Sequence, residues 1–195
     1  MKKRIVVIQA HPDPAGGHLG NALAEAYAAG AMGAGHEVRC VALAGLDFPL
    51  LRTQEDFNAG QLPPGLRAAQ ADLGWADHVA IFFPLWLGTM PALLKAFLEQ
   101  VLRPGFAFHS AAGRSGWKPA LRGKSARVVV TMGMPASVYR LFFLAHGVKG
   151  LERNILRFCG IEPVTETFIG MVEDMKDSTR EKWLGRLSAL GRKGS

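Results

Sequence analysis

The chain has little of the chemistry that most often announces a function. Its two cysteines, Cys40 and Cys159, stand far apart in 195 residues and form no CxxC. That excludes a disulfide framework and a thiolate metal knuckle, and two free thiols suit a reducing, cytoplasmic setting. None of the six histidines pairs as HxxH, so no metal centre is expected. Long apolar runs are missing too. The longest uncharged stretch, 78–94, is interrupted by Pro84, Gly88 and Pro91, too short and too broken to enter a bilayer as a span. Met1-Lys2-Lys3-Arg4 begins like a secretory leader, but only six apolar residues follow before His11-Pro12-Asp13. A strand is expected there instead.

Acidic residues are in deficit. The net charge is +7, and the excess lies in the second half: residues 98–195 hold sixteen Lys/Arg against eight Asp/Glu, residues 1–97 seven against eight. It is densest at Arg114, Lys118, Arg122, Lys124 and Arg127. A basic half favours anionic partners such as a dinucleotide phosphate. Nucleic acid is not expected, because no stacking aromatics interleave with these charges in a known module. A phosphate-binding role and a solvated basic face both stay open.

What is present reads as one α/β domain. A 49% hydrophobic, 20% charged composition supports a sizeable core. Strands are expected over 4–10, 37–43, 77–83, 125–131 and 161–169, the central ones as unbroken apolar runs that suit burial on both faces of a parallel sheet. Helices are expected over 21–34, 66–74, 91–102, 138–145, 151–159 and 178–190. Two long irregular stretches, 44–62 and 103–122, read as functional or interface loops. Alternation of this kind predicts a doubly wound five-stranded parallel sheet with helices on both faces, in the flavodoxin-like order 2-1-3-4-5.

Several nucleotide and metal motifs fail. Gly33-Ala34-Gly35 follows a helix and meets Val38 where a third glycine belongs. Gly123-Lys124-Ser125 precedes a strand and has Lys118 at the upstream glycine position. Ala10-His11-Pro12-Asp13 resembles the zinc site of sugar deacetylases, but Pro14 replaces their second acidic residue, leaving zinc-dependent deacetylation a minor alternative.

Three loops at the carboxyl ends of neighbouring strands remain, the usual ligand position in an open α/β sheet. The turn 11–20 precedes a helix and can cradle a phosphate, with His11 and His18 as donors. The loop 84–90 is apolar, its main-chain amides available to a planar ring and Trp86 and Leu87 available to shield it. The third loop, 131–139, has Gly133 for close backbone approach, then Tyr139, with His146 one to two turns on. A phosphate cradle, a dry flat slot and a Tyr/His pair fit a flavin.

On those residues the chain resembles the NAD(P)H:quinone oxidoreductases of the flavodoxin-like superfamily, the DT-diaphorases and their bacterial relatives. The resemblance rests on Ala10-His11-Pro12, on Phe83-Pro84-Leu85-Trp86 with Pro91-Ala92-Leu93-Leu94-Lys95, on Gly105-Phe106-Ala107-Phe108, and on Thr131, Gly133, Tyr139 and His146. It implies FAD, with FMN the alternative, and NAD(P)H as co-substrate. His11, His18, Leu19 and Gly20 would hold the flavin phosphate. Pro84, Leu85, Trp86, Leu87 and Gly88 would wall the ring, with Thr131, Met132 and Gly133 on the pyrimidine side. Tyr139, supported by His146, would steady charge on the reduced ring, a contribution of about 3 kcal/mol for one such donor. Ping-pong transfer to a quinone-like acceptor and a homodimer in which each subunit closes the other's site are implied as well. The apolar segment 141–145 would contribute to that interface. A flavin-bearing ancillary subunit of a potassium-efflux transporter is the alternative role. The chain departs from the mammalian pattern at Trp86, Leu87 and Met134, and at Phe108 and Ser110, which replace two substrate-lining tyrosines.

Overall fold

The computed structural model describes residues 1–110 and 116–195; Arg114, named above, lies outside the described residues. The main sheet contains β1 (Arg4–Gln9), β2 (Glu37–Ala42), β3 (His78–Pro84), β6 (Ser125–Thr131) and β7 (Val164–Ile169). Their order is β2-β1-β3-β6-β7, and every pairing is parallel. This is a doubly wound order consistent with the flavodoxin-like arrangement. The expected numbering does not carry over directly, because two short strands intervene. β4 (Phe108–Ser110) and β5 (Trp117–Pro119) form an antiparallel hairpin with Phe108 opposite Pro119, inside the stretch expected to be irregular.

Helices cover both faces, as expected. They are α1 (Leu19–Gly33), α2 (Gln54–Ala59), α3 (Arg67–Trp75), α4 (Ala92–Val101), α5 (Ala136–Leu141), α6 (His146–Gly150) and α7 (Asp177–Lys193), with a π-helical turn at Leu151–Leu156 extending α6. The strand period of two divides β1 between two cores. Ile5 and Val7 pack with Leu23, Tyr27 and Leu187 under α1 and α7. Val6 and Ile8 pack with Leu94, Phe97 and Leu151 on the opposite side. Helices α1 and α7 touch backbone to backbone: a Cβ at Gly191 would sit 2.0 Å from the Tyr27 carbonyl oxygen.

Two expected boundaries move for local reasons. Thr53 caps α2, its Oγ1 accepting from the Asp56 amide at 3.0 Å, so a helix interrupts the expected 44–62 loop. The expected 138–145 helix stops at Leu141 because Leu144 and Ala145 take left-handed φ values of 52° and 50°.

The basic cluster lies largely away from the sheet's carboxyl edge. Arg127, third residue of β6, is buried; its Nη1 donates to Thr167 Oγ1 at 2.8 Å and its Nε to the Ser195 carbonyl at 2.6 Å. Lys124, just before β6, donates to the Gly74 carbonyl at 2.8 Å. Both sit at the amino-terminal end of that strand and are bonded within the fold, so of the two roles left open for the cluster these two residues do not support phosphate binding.

Candidate functional site

The carboxyl ends of β1, β3 and β6 carry the three loops. After β1, the Ala10 amide donates to the Phe82 carbonyl at 2.8 Å, fixing where the first loop leaves the sheet. His11 Nδ1 accepts from the Asp13 amide at 3.2 Å, which requires Nδ1 to be unprotonated and leaves the ring proton on Nε2. Asp13 Oδ1 accepts from the Ala15 amide at 2.9 Å, while its Oδ2 lies 2.8 Å from His18 Nε2. The His11 and His18 rings stack with centroids 3.6 Å apart and planes 15° off parallel. Burial, with the neighbouring His18, pushes His11 below the ordinary histidine range. The Ala15 amide, helped by His18, holds Asp13 below the usual carboxylate range.

The bend needs glycine for its conformation: Gly16 and Gly17 have φ of 69° and 76°, with open space where a Cβ would stand. Helix α1 starts at Leu19, two residues before the expected start, with His18 as its N-cap residue. In its first turn the Asn21 and Ala22 amides donate to the His18 carbonyl at 3.0 and 3.3 Å, which leaves those of Leu19 and Gly20 without a carbonyl in the helix to bond. Asn21 Oδ1, in the same turn, is buried without a hydrogen-bond partner.

The second loop is a tight two-residue turn. The Trp86 and Thr89 amides donate to each other's carbonyls, both at 3.0 Å, across Leu87 and Gly88, whose φ values are 47° and 77°. Positive φ at both central positions is the hairpin geometry that matches strand twist. The Leu85 amide donates to the Thr131 carbonyl at 2.8 Å. Three amides expected to face a ligand ring, those of Leu85, Trp86 and Thr89, are therefore engaged by backbone. Trp86 is half-exposed and Leu87 fully exposed.

In the third loop, Thr131 and Met132 are buried and Gly133 is exposed. The Met132 amide donates to the Ile169 carbonyl at 2.9 Å. A Cβ on Gly133 would lie 3.2 Å from Glu173 Oε1, which brings an acidic side chain from the loop after β7 beside the strand end.

The loops meet. The His11 ring lies 6.2 Å from Trp86 at 80°, a Cβ on Gly20 would be 4.0 Å from Thr131 Oγ1, and the Leu85–Thr131 bond joins the second loop to the third. His11, His18, Leu19, Gly20, Pro84–Gly88 and Thr131–Gly133 thus gather at one edge of the sheet.

That edge has relatives. A family defined by the flavodoxin-like fold matches residues 3–190. The chain belongs to this family. Among curated flavodoxin-like relatives, NAD(P)H dehydrogenase (quinone) 1 of Rattus norvegicus is 33% identical over 146 residues, covering 69% of this chain and 51% of its own. FMN-dependent NADH:quinone oxidoreductase 1 of Jannaschia sp. is 34% identical over 95 residues, 49% of this chain and 47% of its own. The chain spans about half the length of these two relatives. The solved NAD(P)H:quinone oxidoreductase of Methanothermobacter marburgensis superposes with a TM-score of 0.80 at 24% identity, covering 98% of this chain and 96% of that one. The resemblance drawn from the motifs is to this same flavodoxin-like family.

Tyr139 stands differently from its expected role. Its side chain is 1% exposed. Its hydroxyl donates to the Gly88 carbonyl at 2.9 Å and accepts from the Val148 amide at 3.3 Å, and burial first of all raises its pKa. Neither partner is His146, which is exposed and opens α6, so the two side chains expected to act together are not hydrogen-bonded to each other. Tyr139 instead latches the tip of the second loop to α6, where the contact is already close: a Cβ at Gly147 would fall 2.1 Å from the Gly88 oxygen.

Sequence reasoning missed three residues. Asp13 was read only as part of a metal motif, yet it organises the first loop through Ala15 and His18. Asn21 carried a signal, an amide side chain in the first turn of an Ala-rich helix. Glu173 carried none, since only the packing of the loop after β7 brings it to Gly133.

Proposed function

We propose that this chain is a flavin-dependent NAD(P)H:quinone oxidoreductase whose flavin lies where the three loops meet. The observation that carries the reading is the convergence itself, a helix N-terminus with two stacked imidazoles beside an apolar turn and a buried strand end. The donor set fits a flavin phosphate: the Leu19 and Gly20 amides at the start of α1, the open Gly16–Gly17 bend, and His11 and His18. The orphaned Asn21 Oδ1 suits a hydroxyl donor such as those of a ribityl chain, since a buried acceptor left unbonded is costly.

FMN is favoured over FAD, which reverses the order of the earlier expectation. A terminal phosphomonoester is a dianion at neutral pH and offers more acceptor oxygens to the donors of this loop, the His11 Nε2 proton among them. The phosphates of a dinucleotide are each monoanionic and call for less. The Jannaschia relative's name as FMN-dependent supports the same choice.

When bound, the flavin supplies the redox chemistry, taking hydride from NAD(P)H and returning two electrons to an acceptor. The chain binds and orients. Trp86 and Leu87 shield one edge of the slot, and the amides of Leu87 and Gly88 are the ones the turn leaves for a ring edge. Tyr139 fixes that turn from behind, its hydroxyl accepting a hydrogen bond from the Val148 amide and donating one to the Gly88 carbonyl. Nicotinamide and acceptor take turns in the one slot, so each excludes the other. A quinone is the favoured acceptor, and other flat, electron-poor molecules would be poorly distinguished by so apolar a wall.

A homodimer belongs to the proposal. Phe57, Leu98, Phe108, Trp117, Ile155 and Phe158 line an open cavity of about 440 Å³, and Trp117 and Phe158 stay exposed at its edge. A second subunit would cover this apolar ground and bring the β4–β5 hairpin to the partner's slot. No transporter partner is part of the reading. Initial rates of NAD(P)H oxidation, measured while acceptor concentration is varied, test the shared slot. Parallel double-reciprocal lines are expected, and intersecting lines would mean that both substrates bind together.

A further inference from the structure

The segment between α5 and α6 does something the flavin site does not require. Leu141, Phe142, Phe143 and Leu144 are four consecutive large apolar residues, and all are exposed, Leu141 by 77% and Phe142 by 78%. The backbone is bent to keep them out. Leu144 and Ala145 both adopt left-handed φ, costly for residues with a Cβ, and this ends α5 one turn early. The Phe142 and Phe143 rings pack on each other edge to face, 5.0 Å apart. Across the Tyr139–Gly88 bond stands Leu87, also at positive φ and fully exposed. Two strained, protruding, apolar tips are therefore joined through Tyr139, which bonds Gly88 by its hydroxyl and Ala145 by its carbonyl.

The charge along this segment is mostly positive. From Ala136 to Phe158 the chain holds Arg140, Lys149, Arg153 and Arg157 against Glu152 alone, and Glu152 is tied to Arg157 at 2.7 Å. Arg140 and Lys149 flank Leu141 and Ala145 in the hollow beside the tip. Glu166 lines that hollow as well, and burial together with Glu152 biases it toward its neutral form.

We infer that the Leu141–Leu144 tip, with Leu87 beside it, docks the protein on an anionic lipid surface. Aromatic and leucine side chains flanked by Lys and Arg are what an interfacial contact uses, and each basic residue near an anionic leaflet adds to the attraction. No helix among the described residues is long and apolar enough to cross a membrane, so the contact is peripheral. A second copy of the chain is the less suitable occupant. A two-fold interface centred on this tip would bring two basic segments face to face, which like-charge repulsion opposes. Where the flavin reading above also holds, docking turns the mouth of the slot toward the bilayer, the source of a lipid-borne quinone.

Sedimentation of the full chain with vesicles tests the inference without reference to flavin or turnover. Vesicles of phosphatidylcholine alone are compared with an equal mixture of phosphatidylcholine and phosphatidylglycerol, at low and high salt. The wild type is expected to partition about tenfold or more in favour of the anionic vesicles, with the preference falling in salt. The double variant Leu141→Ser/Phe142→Ser, altered only at exposed positions, is expected to lose about tenfold or more of that binding. Arg140→Glu/Lys149→Glu is expected to lose the anionic preference. Equal partitioning of wild type and Leu141→Ser/Phe142→Ser, or no vesicle binding by the wild type, overturns the inference. So does a fall in oligomeric mass by light scattering in Leu141→Ser/Phe142→Ser, which would assign the tip to a second copy. Colourless protein that still binds anionic vesicles would sink the flavin reading and leave this one standing.

Discussion

Replacing Tyr139 by phenylalanine separates two roles that a hydroxyl at this position can have. In the structure the hydroxyl spans Gly88 and Val148, at 2.9 and 3.3 Å, in a side chain that is 1% exposed. Removing it leaves a buried Val148 amide without an acceptor and frees the Gly88 carbonyl. An orphaned buried polar group costs about 1–3 kcal/mol. The ring stays, packed 5.6 Å from Phe168, so no cavity penalty is added. The cost falls on the link between the Trp86–Thr89 turn and α6, where the flavin edge is proposed to rest. Flavin affinity is therefore expected to weaken roughly 5- to 150-fold, read by fluorescence titration, with a matching loss in urea stability. Flavin reduction by NADPH in stopped flow, followed on the loaded fraction, is expected to change by less than about threefold. A reduction rate lowered tenfold or more with affinity and stability unchanged would refute the latch and restore the expected chemical role.

Three other perturbations follow from single contacts. Gly191→Ala forces a Cβ to within 2.0 Å of the Tyr27 carbonyl oxygen and is expected to cost about 1–3 kcal/mol in urea melts; an unchanged midpoint would mean that α1 and α7 are not so closely apposed. Acid is expected to destabilise the fold through His78, which is buried, bonded to Ser125 Oγ at 2.7 Å, and held by burial and nearby Lys3, Arg127 and His36 at a pKa of about 3. Because the unfolded chain takes up that proton near pH 6.5 and the folded one does not, stability is full above pH 6.5 and falls by about 1.4 kcal/mol per pH unit toward pH 3. Melts of wild type and His78→Gln at pH 7 and pH 5 check this, and equal acid sensitivity would absolve His78. Finally, His18→Ala removes half the stacked pair and is expected to raise the FMN Kd about tenfold; an unchanged Kd would take His18 out of the cradle.

The central strands were legible because burial on both faces leaves an unbroken apolar run. β6 spans the expected 125–131, and β1 ends one residue short of its expected 4–10. The hairpin of β4 and β5 was not legible. Three-residue strands among Gly105, Gly116 and Pro119 show no period long enough to read, and only pairing with each other defines them. α2 did carry a signal, since Thr53 stands three residues before Asp56 in the pattern of a capping box, but its six residues were overshadowed by the irregular segment around them. At the site, residue types identified which loops matter, and the glycines and prolines that end each strand said where. They could not say which polar atoms the fold would consume. The Leu85, Trp86 and Thr89 amides and the Tyr139 hydroxyl all went to backbone partners, because packing at a strand end satisfies buried groups first. The basic cluster misled for a related reason: charge in sequence gives no depth, and Arg127 lies inside the sheet's far end.

The central claim is that this sheet edge holds a flavin. An absorbance spectrum of the purified protein, with the released cofactor identified by mass, tests it most directly. A yellow protein with flavin bands is expected, with FMN released in near-equal amount to protein and the bands lost when His11 and His18 are both replaced by alanine. A colourless protein that takes up neither FMN nor FAD on reconstitution would contradict it.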